Sequence, residues 1–434
     1  MVLPTRVRRG YALGSIATGT FGTVPGLLLL PYLTDTLGVA AAVAGLIVFV
    51  PKAWDVVLNP IAGRISDRSS SSRGRRRPFL LWSGIALAIT FALIFAGPAA
   101  PPPLAATWVV IAFLACATAY AFFQVPFNAM PAEITQDAAE RTRMMTWRVA
   151  AIAVAILLSG ATAPLVVSGL GYPAMGIYVG VLLLLGTMGA YLATSGVVEE
   201  PTEASAGPLR EQLRIVLSVP DFRRLLVAFV AQALGVGALL AAVAYVARYL
   251  LADPASSSVL FAAFVGPALL VSPLWERWTA HRGKKAGYLA STVVLVVGVL
   301  ALWSVRSDVG WLAYVAAGIA GIGYAGTQVC PLAMLPDVAA AATRATGVNR
   351  TGVFTGLWTA GETLGLALGP GLYGLVLSIG GYAASTTGSA GATVQSPGAL
   401  TAIAVGFTLV PAVLIALSLW PLRGYALDER TTRA

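Results

Sequence analysis

"FQVPFNAMPAE" at residues 123–133 and "TQVCPLAMLPD" at residues 327–337 are two versions of one stretch, 204 positions apart. Gln124 and Gln328, Val125 and Val329, Ala129 and Ala333, and Met130 and Met334 coincide. Each copy then runs through a proline to an acid, Glu133 or Asp337. Such an echo is expected when a chain is built from two parallel structural repeats, each copy lying at the same place in its own half.

The surrounding sequence says what is repeated. The chain has 434 residues, 58% hydrophobic and 11% charged, with a mean hydropathy of +0.82; soluble domains carry about 25% charged residues. Crossing about 30 Å of hydrocarbon takes about 20 apolar residues. Twelve runs of that length follow one another, at 11–34, 40–63, 78–98, 104–130, 146–168, 172–196, 224–250, 257–275, 286–305, 310–335, 351–378 and 398–421. The two echoing stretches fall on the fourth and the tenth. The most polar connection, residues 197–223, divides the runs six and six. The expected architecture is an all-α integral membrane protein with 12 transmembrane helices in two six-helix bundles, residues 1–196 and 224–422. A cytoplasmic linker over 197–223, with an amphipathic piece at Leu209 to Leu217, joins them, and a tail at 423–434 follows.

Lys and Arg placement sets the orientation, because short cytoplasmic loops hold the positive excess. Arg6, Arg8 and Arg9 precede the first run, and Arg64, Arg68, Arg73, Arg75, Arg76 and Arg77 join the second to the third, whereas the odd-numbered connections hold only Arg248 and Arg306. Both termini are thus expected in the cytoplasm, in the plasma membrane. The same asymmetry accounts for the net charge of +10, so nucleic acid is not an expected partner. Cys116 and Cys330 lie in different halves and read as small packing residues. The opening run is of span length and is not expected to be a cleaved leader. Against an enzyme, the chain offers no paired catalytic acids, metal-ligand cluster or nucleophile-base set, and its one histidine, His281, falls in a basic loop.

Two of the eighteen acids, Asp55 and Glu362, fall deep inside expected spans. An ionisable group there costs at least about 2.5–3.5 kcal/mol on insertion scales, so it ordinarily faces a bundle interior and marks a pathway or proton relay. In "PKAWDVVLNP" (51–60), Lys52 and Asp55 share a helix face at i, i+3, and Asp55 and Asn59 at i, i+4. The alternative is a structural Lys52–Asp55 salt bridge, a role apolar packing fills without desolvation. Glu362 has no cation within a helical turn of its own span. Arg148 is the candidate opposite charge for it or for a solute, or else an arginine snorkelling to the headgroups. Gln124, Asn128 and Gln328 bring amides from both halves toward an expected central cavity, or serve as glue between helices. Trp358 joins this group as a candidate solute contact. The eleventh run's glycines at 352, 356, 361, 365 and 369 read as packing seams rather than hinge points.

Loops between the second and third runs and between the eighth and ninth each hold a glycine and a basic cluster, "GRISDRSSSSRGRRRP" and "ERWTAHRGKKAG". Asp67, Arg68, Arg75, Arg141 and Asp337 are the candidate cytoplasmic gate, pairing with the neighbouring bundle when that side is shut, unless the basic residues only satisfy the charge rule.

These residues carry a resemblance. "YALGSIATG", "PYLTDTLGVAAAVAG", "KAWDVVLNPIAGRISDR" and "GRRRPFLLW" resemble the first three spans of the glycoside-pentoside-hexuronide:cation symporters, the melibiose-permease family of the major facilitators. "FQVPFNAMPAEIT", "ERTRMMTWR", "MLPDV" and "GVFTGLWTAGETLGLALG" resemble its later regions, so the likeness covers most of the chain. It implies the major-facilitator fold and cation-coupled symport by alternating access. Asp55 matches the family's cation-site carboxylate and Lys52 its basic neighbour. The family's second cation-site acid is Asn59 here, and the amide before it is Leu58. One carboxylate with few oxygen partners is a poor Na⁺ cage but can load a proton, so H⁺ is the expected coupling ion rather than Na⁺, with no cofactor. The family's sugar-site acids correspond to Gly19 and Gln124, the next aromatic to Asn128, and the lysine of its eleventh span to Glu362. The resemblance thus implies a symporter of a small polar solute such as a sugar or glycoside, though not by the paired acids of galactoside recognition, and a monomer is the expected state. A carrier of lysolipid-like or natural-product amphiphiles is the alternative, and a non-transporting sensor a remoter one.

Overall fold

The computed structural model describes residues 4–69, 74, 76–98, 101–135, 137–195, 209–307, 309–346, 350–386 and 394–427. In chain order the helices are α1 (Thr5–Pro31), α2 (Ala41–Asp67), α3 (Arg77–Ile94), α4 (Pro102–Ile134), α5 (Ala138–Ala193), α6 (Leu209–Ser218), α7 (Pro220–Tyr245), α8 (Ser256–Arg282), α9 (Lys284–Ala301), α10 (Trp311–Thr346), α11 (Thr351–Ile379), α12 (Pro397–Phe407), α13 (Leu409–Leu417) and α14 (Leu419–Arg423). Prolines start several of them, at a position where a missing N–H costs nothing. Before Pro397, the Ser396 hydroxyl also accepts from the Ala399 N–H at 3.1 Å.

Among the described residues, eleven helices are long and apolar enough to cross a membrane, one fewer than expected. The difference lies in α5. Its 56 residues, at about 1.5 Å each, are far too long for a single crossing of about 30 Å. The helix is broken at Gly171, whose φ of 83° and ψ of 174° no helix accommodates. The arms before and after that break are the fifth and sixth expected runs. In the twelfth run α12, α13 and α14 follow one another as a single span, Pro397–Arg423.

The chain divides into two compact units, residues 1–204 with 383–394, and residues 205–382 with 395–434. The assignment of 383–394 to the first unit was not foreseen. Ser385 makes it, donating its N–H to the Thr34 carbonyl at 2.8 Å and its hydroxyl to the Asp35 carbonyl at 3.1 Å. The expected linker is also partly structured: α6 packs on α7 and α11, burying Val216 with Phe222 and Phe354.

The units repeat each other in detail. α1 winds into a π turn at Tyr32–Thr36 and α7 into another at Val246–Leu250. Leu37 donates to the Tyr32 carbonyl and Val39 to Leu33; 214 residues later Leu251 donates to Val246 and Asp253 to Ala247. The loops before α3 and α9 both turn on a glycine of positive φ, Gly74 at 101° and Gly283 at 90°. In the second unit α11 lies on α7 along small residues. A Cβ on Gly365 would stand 2.8 Å from Ala233 Cβ and 2.9 Å from the Val230 carbonyl, and one on Gly369 would meet the Gly237 backbone. Gly352 and Gly356 touch nothing and take no part in the seam.

Candidate functional site

Each unit holds one of the two carboxylates expected inside the spans, Asp55 buried and Glu362 half-buried. In the first, α2 carries Asp55 inward, 5% exposed. Its Oδ1 is buried and has no hydrogen-bond partner among the described residues. Lys52, one turn earlier, does not close an ion pair with it. The ammonium instead lies 4.3 Å from the centre of the Phe21 ring, which stacks at 4.0 Å on Tyr120. The structural salt-bridge reading of Lys52 and Asp55 therefore fails. Asn59 departs from expectation as well: it and Pro60 are exposed, so the three residues do not form one buried stripe.

A second polar group of this unit surrounds Arg148. Its Nη2 donates to Asn128 Oδ1, and its guanidinium lies 5.3 Å from the centre of the Phe127 ring. Tyr11 stacks on the same ring at 4.4 Å and donates its hydroxyl to the Phe127 carbonyl at 2.9 Å. No carboxylate pairs with Arg148 among the described residues, and its Nε is buried without a partner. Gln124 is half-buried in the same helix one turn before Asn128, which is exposed. Gly19, where the resembling family places an acid, packs α1 against α5. A Cβ there would stand 2.9 Å from both the Ile152 carbonyl and Ala155 Cβ.

In the second unit α10 and α11 bring Gln328 and Glu362 to one small recess of about 10 Å³, room for one water-sized group, with Phe229, Gln232, Tyr324, Thr327 and Leu366 also lining it. Glu362 has neither a hydrogen bond nor an ion pair among the described residues. Gln232, in contrast, is saturated. Its amide donates to Thr292 at 3.0 Å and Ser418 at 2.9 Å, and its oxygen accepts from Tyr288 at 2.9 Å. Trp358, expected to meet the solute, is instead 2% exposed in the apolar core. Its indole stacks on Phe229 at 4.1 Å, behind the recess wall.

The candidate gate residues fare unevenly. Asp337 pairs with Lys284 at 2.6 Å, a partner in its own unit. Arg141 donates to the Thr135 carbonyl at 3.2 Å, and Arg68 is exposed. Arg75 and the side chain of Asp67 lie outside the described residues. The strongest pair here went unforeseen: Arg76 and Glu133 at 2.6 Å, 5% and 3% exposed, with Ser66 accepting from the same guanidinium. Glu133 closes the first copy of the echoed stretch as Asp337 closes the second, and that symmetry was the signal for it. Tyr324 and Gln232 had no comparable signal.

A family model described as MFS/sugar transport protein matches residues 10–429. The putative glycoside/cation symporter YagG of Escherichia coli is 34% identical over 185 residues, which are 42% of this chain and 40% of that one. The isoprimeverose transporter of Lactiplantibacillus pentosus is 24% identical over 99% of this chain and 90% of its own. A solved structure of a bacterial homolog of the human lysosomal transporter Spinster, 15% identical, superposes with a TM-score of 0.68 over 97% of this chain and 95% of that one, which shows the major-facilitator fold. The chain belongs to the MFS/sugar transport protein family, among its glycoside-pentoside-hexuronide:cation symporters, and is a multi-pass membrane transporter.

Proposed function

We propose that the protein is a proton-coupled symporter of a small polar solute of sugar type, with Asp55 as the group that loads the proton. The observation that carries this reading is the buried, unpartnered Oδ1 of Asp55 on a helix whose other candidate oxygen ligand, Asn59, is exposed. A dehydrated Na⁺ needs several hard oxygens in one place, whereas a proton needs one carboxylate. Lys52, held against Phe21, leaves that carboxylate free to change charge. The sugar-type solute is supported by relatives named for glycosides and isoprimeverose. Arg148, Asn128 and Gln124 in the first unit, and Gln328 and Glu362 in the second, are the proposed solute contacts, in a monomer with both termini in the cytoplasm. Alternating access then links the two events: the solute is carried when Asp55 is protonated. Adding the solute to lightly buffered cells that express the protein should make the medium more alkaline as protons enter with it. A solute taken up with no such change, in the same cells, contradicts the reading.

A further inference from the structure

The recess of the second unit is unevenly supplied with hydrogen-bonding capacity. Both N–H groups of Gln232 are used by Thr292 and Ser418, and the Thr327 hydroxyl donates to the Tyr324 carbonyl at 2.9 Å. The two oxygens of Glu362, the free lone pairs of Thr327 and the phenol oxygen of Tyr324 remain as acceptors. Gln328 and the Tyr324 hydroxyl supply the remaining donors. The carboxylate is the strongest acceptor on this wall, so a charged group with several N–H donors is matched there more fully than a hydroxyl, which brings one.

The rest of the lining is carbon. Phe229, stacked on the Trp358 indole behind it, stands with Ala233, Val236 and Leu366 beside the carboxylate. A desolvated metal ion gains nothing from such walls, whereas an ammonium on a carbon skeleton meets the carboxylate with its N–H groups and the ring faces with its charge. No cation of the protein occupies that place among the described residues: Lys284 is committed to Asp337, and Lys285 donates to the Arg423 and Tyr425 carbonyls.

We propose that this recess is a binding subsite for the ammonium group of a basic solute, an amino sugar being the matching class, with Glu362 as its counter-charge. The inference rests on the reading that the recess belongs to the solute pathway.

Titration calorimetry on the purified protein tests it with glucosamine, N-acetylglucosamine and glucose, at several pH values from neutral upward so that the carboxylate as well as the amine can be charged, with NaCl alone as a further arm. Glucosamine should bind about tenfold tighter than N-acetylglucosamine, the worth of one charge-assisted contact. Glu362→Gln should bring the two to parity, and Glu362→Asp should keep part of the preference. Equal binding of amine and acetamide, or binding of neither, overturns the proposal. So does a Glu362-dependent response to NaCl alone, which gives the recess to a metal ion. If the preference is absent while solute entry still alkalinises the medium, this inference falls alone. If the preference stands and no proton enters, the coupling reading falls instead.

Discussion

Arg76 grips Glu133 through two nitrogens, Nη2 at 2.6 Å and Nε at 3.1 Å, with both side chains almost wholly buried. At the equivalent place in the second unit, Lys284 reaches Asp337 at 2.6 Å, but those side chains are 31% and 25% exposed. One acid at the end of a repeated helix thus has two different partners: a planar fork that also reaches Ser66, and a single ammonium in part-solvent. Buried pairs are costly to break because the survivor is a stranded charge, while part-exposed pairs contribute little.

Glu133→Gln should therefore destabilise the protein by about 3–5 kcal/mol and Asp337→Asn by about 1 kcal/mol or less. Thermal unfolding of the purified variants checks the order. Equal shifts, or a larger one for Asp337→Asn, would contradict the burial argument.

The seam between α7 and α11 predicts a graded series of alanine substitutions. Gly369→Ala forces a Cβ into the Gly237 backbone, Gly365→Ala brings one to 2.9 Å from a carbonyl, and Gly356→Ala meets open space. The first should cost about 1–3 kcal/mol or prevent accumulation of folded protein, as overpacking does, and the last should be neutral. Detergent-solubilised yield and melting temperature read the series, and a damaging Gly356→Ala would contradict it.

Gly19→Asp asks whether the resembling family's acid can simply be put back. With 2.9 Å to both the Ile152 carbonyl and Ala155 Cβ, the position has no room for a side chain while α1 lies on α5. The expected result is loss of folded protein without gain of galactoside binding. A well-folded variant that binds melibiose would show that the two helices part more readily than this packing allows.

How far the residues spoke for themselves depends on the kind of signal. Span count, the two-fold repeat and the inward Asp55 and Glu362 were legible, because apolar run length and the cost of a charge in hydrocarbon act locally along the chain. The exposure of Asn59 and the burial of Trp358 were not. A helical offset fixes which residues share a face, but which face is covered depends on a neighbouring helix far away in sequence. The same limit hid Gln232, whose three partners lie on residues 288, 292 and 418. Gly171 was readable only as a gap between runs, since helix geometry alone does not say that the break is one residue wide.

The account stands or falls on Asp55 as a lone proton carrier. Uptake of a transported solute into proteoliposomes, driven in turn by a pH gradient and by a Na⁺ gradient, measures this directly for the wild-type protein and for Asp55→Asn. The account predicts accumulation with the pH gradient, indifference to Na⁺, and a variant that exchanges solute across the membrane but no longer accumulates it. Accumulation that requires Na⁺ and ignores the pH gradient, or an Asp55→Asn protein that still concentrates solute under the pH gradient, would contradict it.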